Sequence, residues 1–281
     1  MTERKNQTSR KKVFLIVWLS LLVLVLTAII LTMSLSPPTE KTEGIKEAMR
    51  DAVLHESNKM AFFGLRVNPA VISAFTVSGI LLFLAAVIRI FVIPRFKIVP
   101  GKFQTALEAA AEFFSKMARD NSSHKPNFVG AYIFSAGVYI FFSTIFELFG
   151  IQALTDEGVS IALPAPIADI NAAIAMGVTS FLVILIAGIV SNGFKGALKV
   201  LKDFSLPISM SFRLFGALLS GLLVTELVYY YVTLSFILPV IVGVLFTLLH
   251  ALIQTYVLAT LVSIFYGEAV EPRKPKEKKV A

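Results

Sequence analysis

What most constrains this chain is the length of its uncharged apolar runs. A helix that crosses a bilayer needs about 20 mostly apolar residues. Val13–Ser36 is uncharged, Val67–Ile88 lies uncharged between Arg66 and Arg89, Pro126–Phe146 runs without charge up to Glu147, and Ile170–Phe194 is a fourth such stretch. From Phe204 to Gly267 the sequence is apolar except for Arg213, Glu226 and His250, which is too long for one span. Pro239, shortly after Ser235, marks the turn. The pattern predicts an all-α integral membrane protein with six transmembrane helices, the last two forming a long hairpin.

Composition agrees. Apolar residues make up 56% of the chain and charged residues 16%, against about a quarter charged in soluble domains. An ordinary soluble enzyme and a disordered chain are excluded, because no aqueous surface would absorb so much apolar side chain. There is no cysteine, which removes disulfides, thiol catalysis and thiolate metal sites. His55, His124 and His250 are far apart in sequence, so no metal site is expected.

The net charge of +8 would suggest nucleic acid in a soluble protein. Here it reports loop orientation instead, and no nucleic-acid partner is expected. With the N-terminus inside, segments 1–12, 89–125, 192–208 and 271–281 carry 5, 7, 3 and 5 Lys/Arg, while the outer segments 36–70 and 150–169 carry 5 and 0. An odd number of spans would break this bias, so both termini are expected on the cytoplasmic side. The resulting organisation is a basic N-terminus with an extra anchor (1–36), an outer helical segment (37–66), the membrane domain (67–270) and a basic tail (271–281). The first span has the basic flank of a signal peptide. Its apolar run is longer than the usual one and Ser34–Ser36 is a poor cleavage site, which favours an uncleaved anchor.

One segment between spans is amphipathic. Phe103, Leu107, Ala110, Phe114 and Met117 share a helical stripe, with Glu108, Glu112 and Lys116 elsewhere. Such a helix lies on the cytoplasmic interface or packs on a soluble subunit.

An ionisable residue inside the bilayer is a functional candidate by default. Arg213 stands ten residues past Asp203, so snorkelling to the interface is the plain alternative. Its neighbourhood argues for more. Gly216, Ala217 and Ser220 share its face, and Gly216/Ser220 and Ala217/Gly221 are small-xxx-small pairs that admit another helix closely. Glu226 and His250 stand on neighbouring spans at roughly matched depth. They are placed either to relay protons or to form a buried structural hydrogen bond. Thr247, His250 and Gln254 give the last helix a polar stripe. Glu147 and Asp169 abut the hydrocarbon at the outer side, near Asn171, where acids at a channel mouth concentrate cations. The solvated-loop alternative suits Asp156 and Glu157 better than these two. Gly188–Gly193 has P-loop spacing, but Phe194 follows and Lys195 comes one residue late, so no nucleotide site or cofactor is expected.

Ser205–Gly221, SLPISMSFRLFGALLSG, resembles the signature of subunit a of the F-type ATP synthase, whose core reads S-x-x-x-R-L-F-G-N. The resemblance continues in Val99–Glu108 (VPGKFQTALE), in Ala168–Asn171 (ADIN), at Gln254 and through Leu261–Ala269, spanning roughly Phe62 to Ala269. It implies a bacterial plasma (inner) membrane subunit without catalytic activity of its own, working with a c-subunit ring, b-type peripheral stalk subunits, other ATP synthase subunits and membrane lipid. It assigns Arg213 the place of the arginine facing the ring carboxylate, with Gly216, Ala217 and Ser220 on the rotor-facing surface. Ser209 matches the polar position one turn earlier, Gln254 the glutamine of the last helix, and Glu147, Asp169 and Asn171 the outer half-channel. It also implies that the last two helices lie steeply tilted along the ring.

The sequence departs from the family pattern at three points. Ala217 replaces the usual asparagine, Leu222 stands at the acid/His position nine residues after the arginine, and Thr247 stands at its last-helix counterpart. Glu226 and His250 each lie about one turn from those positions, which points to a relocated acid–histidine pair. Segment Ser191–Leu206 is shorter than the family loop, and the first span is an addition. The coupling ion, H⁺ or Na⁺, is set mostly by the ring. The rival classes are a secondary transporter, which should show repeat symmetry and broken helices, and a purely structural subunit, in which Arg213 would be dispensable.

Overall fold

In the computed structural model, the structure describes residues 60–62, 65–122, 125–154, 160–230 and 238–272, together with Ser20 and Thr27. Apart from Ser20 and Thr27, the expected first span lies outside the described residues, as do residues 37–59 of the expected outer helical segment, Asp156 and Glu157, His124, the hairpin turn near Ser235 and the basic tail from Arg273.

Short antiparallel strands β1 (Met60–Phe62) and β2 (Leu65–Val67) pair at the end of the outer segment, so residues 37–66 are not helical throughout. Helix begins only after Asn68. A residue before proline is driven to extended backbone, and Asn68, at φ −67° and ψ 137°, accepts the Ala70 N–H and caps helix α1 (Pro69–Val87). Helix α1 continues through a π turn (Ile88–Val92) and a 3₁₀ turn (Ile93–Arg95). An elbow then leads into α2 (Lys102–Asn121), α3 (Pro126–Phe146) and a 3₁₀ turn at Glu147–Phe149. Strands β3 (Gln152–Leu154) and β4 (Ser160–Ala162) form a second antiparallel pair, followed by α4 (Ile170–Leu201), α5 (Ser205–Tyr230) and α6 (Leu238–Val270).

Four of these helices are long and apolar enough to cross a membrane: Pro69–Arg95, Pro126–Phe149, Ile170–Leu201 and Val240–Val270. The expected third span coincides with α3, because proline suits the first helical turn and Glu147 interrupts the apolar run. The amphipathic stripe on α2 is only half used. Phe114 and Ala118 are buried, whereas Phe103 is 60% exposed and Ala110 is exposed.

Helix α6 lies at the centre, touching α2, α3, α4 and α5, and α3 buries Val129, Ile133, Ala136 and Ile140 along one face. Leu258, Val262 and Tyr266 of α6 and Ala173, Phe181 and Ile184 of α4 share its core, with α4 packed on α5 and α6. Apolar helices in lipid gain little from burial against one another, so close packing and interhelical hydrogen bonds must hold them. Thr255 on α6 donates to the Gly137 carbonyl at 3.2 Å, and Ser263 to the Met117 carbonyl at 3.0 Å. Tyr132 and Ser180 are 2.8 Å apart. Since Ser180 gives its proton to Met176, Tyr132 is the donor.

The segment 192–208 corrects the sequence reading. An inner loop is expected there, but α4 continues to Leu201 across a break at Gly193, φ 63° and ψ −153°. That region of backbone space is essentially reserved for glycine. After the break, Gly196 packs on the Gly188 carbonyl. Asn192 donates to the Ala269 carbonyl at 2.9 Å and the Glu271 carbonyl at 3.2 Å, and Lys199 to that of Glu268. These donors satisfy the orphan carbonyls ending α6, where a cation also suits the helix dipole. Gly193→Ala should therefore cost about 1–3 kcal/mol of stability, read as a lower thermal midpoint of the detergent-solubilised chain.

Candidate functional site at the α5–α6 face

Helix α5 has two distinct faces. Leu206, Met210, Leu214 and Leu218 recur every four residues and are buried against the bundle. Ser209, Arg213, Gly216 and Ser220 stand on the other side and are exposed, with Ala217 half-buried between the two. The spacing makes this division: residues four apart share one side of a helix. Arg213 thus points away from the bundle, on a strip of small residues. The Ser220 hydroxyl turns back to the Ala217 carbonyl at 2.7 Å, keeping the strip low.

Two contacts position this face from behind. On α4, Gly177 meets the side chain of Ser211 and lies under the Pro207 carbonyl, so the two helices touch two residues from Arg213. Ser211 itself donates to the Pro207 carbonyl at 2.7 Å. On α6, Gln254 is 5% exposed and donates from Nε2 to the Arg213 carbonyl in a long hydrogen bond of 3.4 Å. Gln254 thus holds the backbone of the arginine, leaving the guanidinium free to face outward.

The antiparallel register carries the half-buried His250 to Gly221, where the imidazole lies against the α5 backbone. The ring also meets Phe246, with centroids 5.8 Å apart. Glu226 stands five residues beyond Gly221 on the same helix, about 7.5 Å of axial rise. Its side chain lies outside what the structure describes.

The acids expected on the outer side are built differently. One carboxylate oxygen of Asp169 caps α4, accepting from Asn171 N at 2.7 Å and Ala172 N at 3.4 Å, while the other accepts from Asn68 Nδ2 at 2.6 Å. Asn68 caps α1 with its own carbonyl oxygen, so two helix N-termini are tied together by their capping side chains. The sequence shows both caps, an Asn before Pro and an Asp before an apolar run, but not that residues 101 positions apart touch. Asn171 is exposed, and Glu147 is half-buried on the turn that ends α3. Asp169 lies eight residues before Gly177, about 12 Å along α4.

The structure therefore brings Ser209, Arg213, Gly216, Ala217, Ser220, His250 and Gln254 together on α5 and α6. It places Asp169 and Asn171 apart from them, at the start of α4, and Glu147 at the end of α3. A family model described as the ATP synthase A chain matches residues 71–267, a range that contains all of these positions.

Proposed function

Because the chain belongs to the ATP synthase A chain family, we propose that this multi-pass membrane protein forms the stator side of an ion path, with Arg213 facing the carboxylate of a rotating c-subunit ring. The observation that carries the reading is the placement of Arg213: exposed, on a strip of small residues, and eight residues into α5. Eight residues are about 12 Å of rise, further than the side chain alone reaches back to the interface. An arginine at such depth on a lipid-facing helix costs at least about 2.5–3.5 kcal/mol. A close carboxylate on an approaching helix removes that cost, and the small residues give the approach room.

The chemistry follows from charge. A guanidinium within a few ångströms favours the ionised form of the passing carboxylate, so the ring site releases its ion on reaching Arg213. The fixed cation also separates two half-channels, repelling an ion that would cross directly. On this reading α5 is itself a span, ions enter from the outer side past Glu147, Asp169 and Asn171, and His250 with Glu226 relays protons along α5 and α6. The bacterial plasma membrane, cytoplasmic termini and b-type stalk subunits belong to the same proposal. Each charge driven across 100 mV supplies about 2.3 kcal/mol, and the ring converts these increments into rotation.

The chain has no cysteine, so single introduced cysteines report contact without background. In the assembled complex, Ser220→Cys and Ser209→Cys should cross-link oxidatively to a cysteine on the outer ring helix near its carboxylate. Phe83→Cys, exposed on α1, should not. Cross-links from Phe83→Cys alone would place the ring elsewhere.

A further inference from the structure

The elbow between α1 and α2 presents apolar side chains outward. Ile98 is fully exposed, Val99 is 82% exposed and Phe103 60%. Scattered surface apolar residues are ordinary, but these stand on a loop held in shape. The Gln104 carboxamide accepts the Lys97 N–H at 3.1 Å and donates to the Lys97 carbonyl at 2.9 Å, while Thr105 donates to the Gly101 carbonyl at 3.1 Å. The tip is displayed by fixed hydrogen bonds.

Its charge is one-sided. Arg95, Lys97 and Lys102 are all exposed around the tip, and no Asp or Glu occurs from Val67 to Leu107. Its depth is set as well. Arg95 ends the candidate span Pro69–Arg95, and Ile98 follows three residues later, where hydrocarbon gives way to headgroups. A bilayer surface offers acyl chains and phosphates side by side at that depth. A protein partner would have to present an apolar pocket and several carboxylates at the lipid boundary.

We propose that the elbow 95–103 is a lipid-binding wedge: Ile98, Val99 and Phe103 insert beside the acyl chains, and Arg95, Lys97 and Lys102 hold anionic phospholipid headgroups. The proposal rests on the membrane reading of Pro69–Arg95 and is independent of the ion path. Its role is to fix the end of α1, and with it the start of α2, at the membrane surface.

The test uses the assembled complex in vesicles of phosphatidylcholine mixed with phosphatidylglycerol. Ile98→Cys carries an environment-sensitive fluorophore, and spin-labelled lipids of either headgroup serve as quenchers. The label should be quenched from the lipid, more strongly by phosphatidylglycerol than by phosphatidylcholine. Lys97→Gln and Lys102→Gln should each lower that preference by about fivefold, with ATP-driven pumping retained. A label quenched by aqueous iodide and not by lipid overturns the wedge, and so does one shielded from both, which would mean that protein covers the tip. Equal quenching by the two lipids overturns the headgroup assignment. A label on Phe83→Cys tests the span itself: if lipid fails to quench it, the membrane reading of α1 has failed, and not the wedge alone.

Discussion

Gly177→Ala is expected to destabilise the chain by about 1–3 kcal/mol, the cost of overpacking a close-packed core. A methyl group there would collide with the Ser211 side chain and come within 2.8 Å of the Pro207 carbonyl and 3.1 Å of the Ser211 N–H. Two of these three neighbours are backbone, so a change of rotamer cannot relieve the clash and α4 and α5 must move apart. The buried stripe of α5 through Leu206, Met210 and Leu214 would lose contact with the bundle, and the face bearing Arg213 would shift with it. Coupled ion translocation should therefore fall together with the thermal midpoint. Adding Ser211→Ala should restore part of both, since it removes the hydroxyl but leaves the Pro207 carbonyl in place. A thermal midpoint unchanged in Gly177→Ala would show that the helices do not touch there.

Much of this architecture is written locally in the sequence. Helix α3 begins and ends where Pro126 and Glu147 bound an uncharged run, because proline suits the first helical turn and charge is excluded from hydrocarbon. The two faces of α5 follow from spacing alone: leucines and a methionine four apart on one side, small and polar residues on the other. Arg213, its small neighbours and Gln254 were legible for the same reason, each being polar or small where an apolar helix has no need of it. The roles proposed for them come from the resemblance to the family, since spacing does not supply them.

The parts that were not legible depend on tertiary contact. Asn192–Gly193 with its nearby lysines reads as a loop, since polar residues and glycine end most apolar helices. The chain instead resumes helix after one glycine-only torsion, and Asn192 and Lys199 are engaged by the carbonyls that end α6, some seventy residues on. The half-used stripe of α2 is similar. Its pattern predicts an apolar face along the whole length, but only the C-terminal part meets α3 and α6. Asp169 attracts attention as an acid beside hydrocarbon, while the structure shows it holding the start of α4 and Asn68. A cap and an ion-path residue are compatible, because the carboxylate stands at the mouth of the helix it caps.

The proposed ion path turns on Arg213. A cation close to a carboxylate lowers its pKa by about one to three units, a factor of ten to a thousand in the ratio of ionised to protonated form. On that proposal, Arg213→Ala removes the bias and the barrier between the half-channels together, while its exposed side chain contributes little to packing. The Gln254 hydrogen bond is made to the backbone carbonyl and survives the substitution. The complex should therefore still assemble. The most direct measurement is ATP-driven ion pumping into vesicles by the assembled complex carrying Arg213→Ala. The expected result is a loss of coupled pumping of at least about tenfold, with the subunits still present in their normal ratio and passive leakage raised. Undiminished pumping would contradict the account and make Arg213 a residue that merely snorkels to the interface.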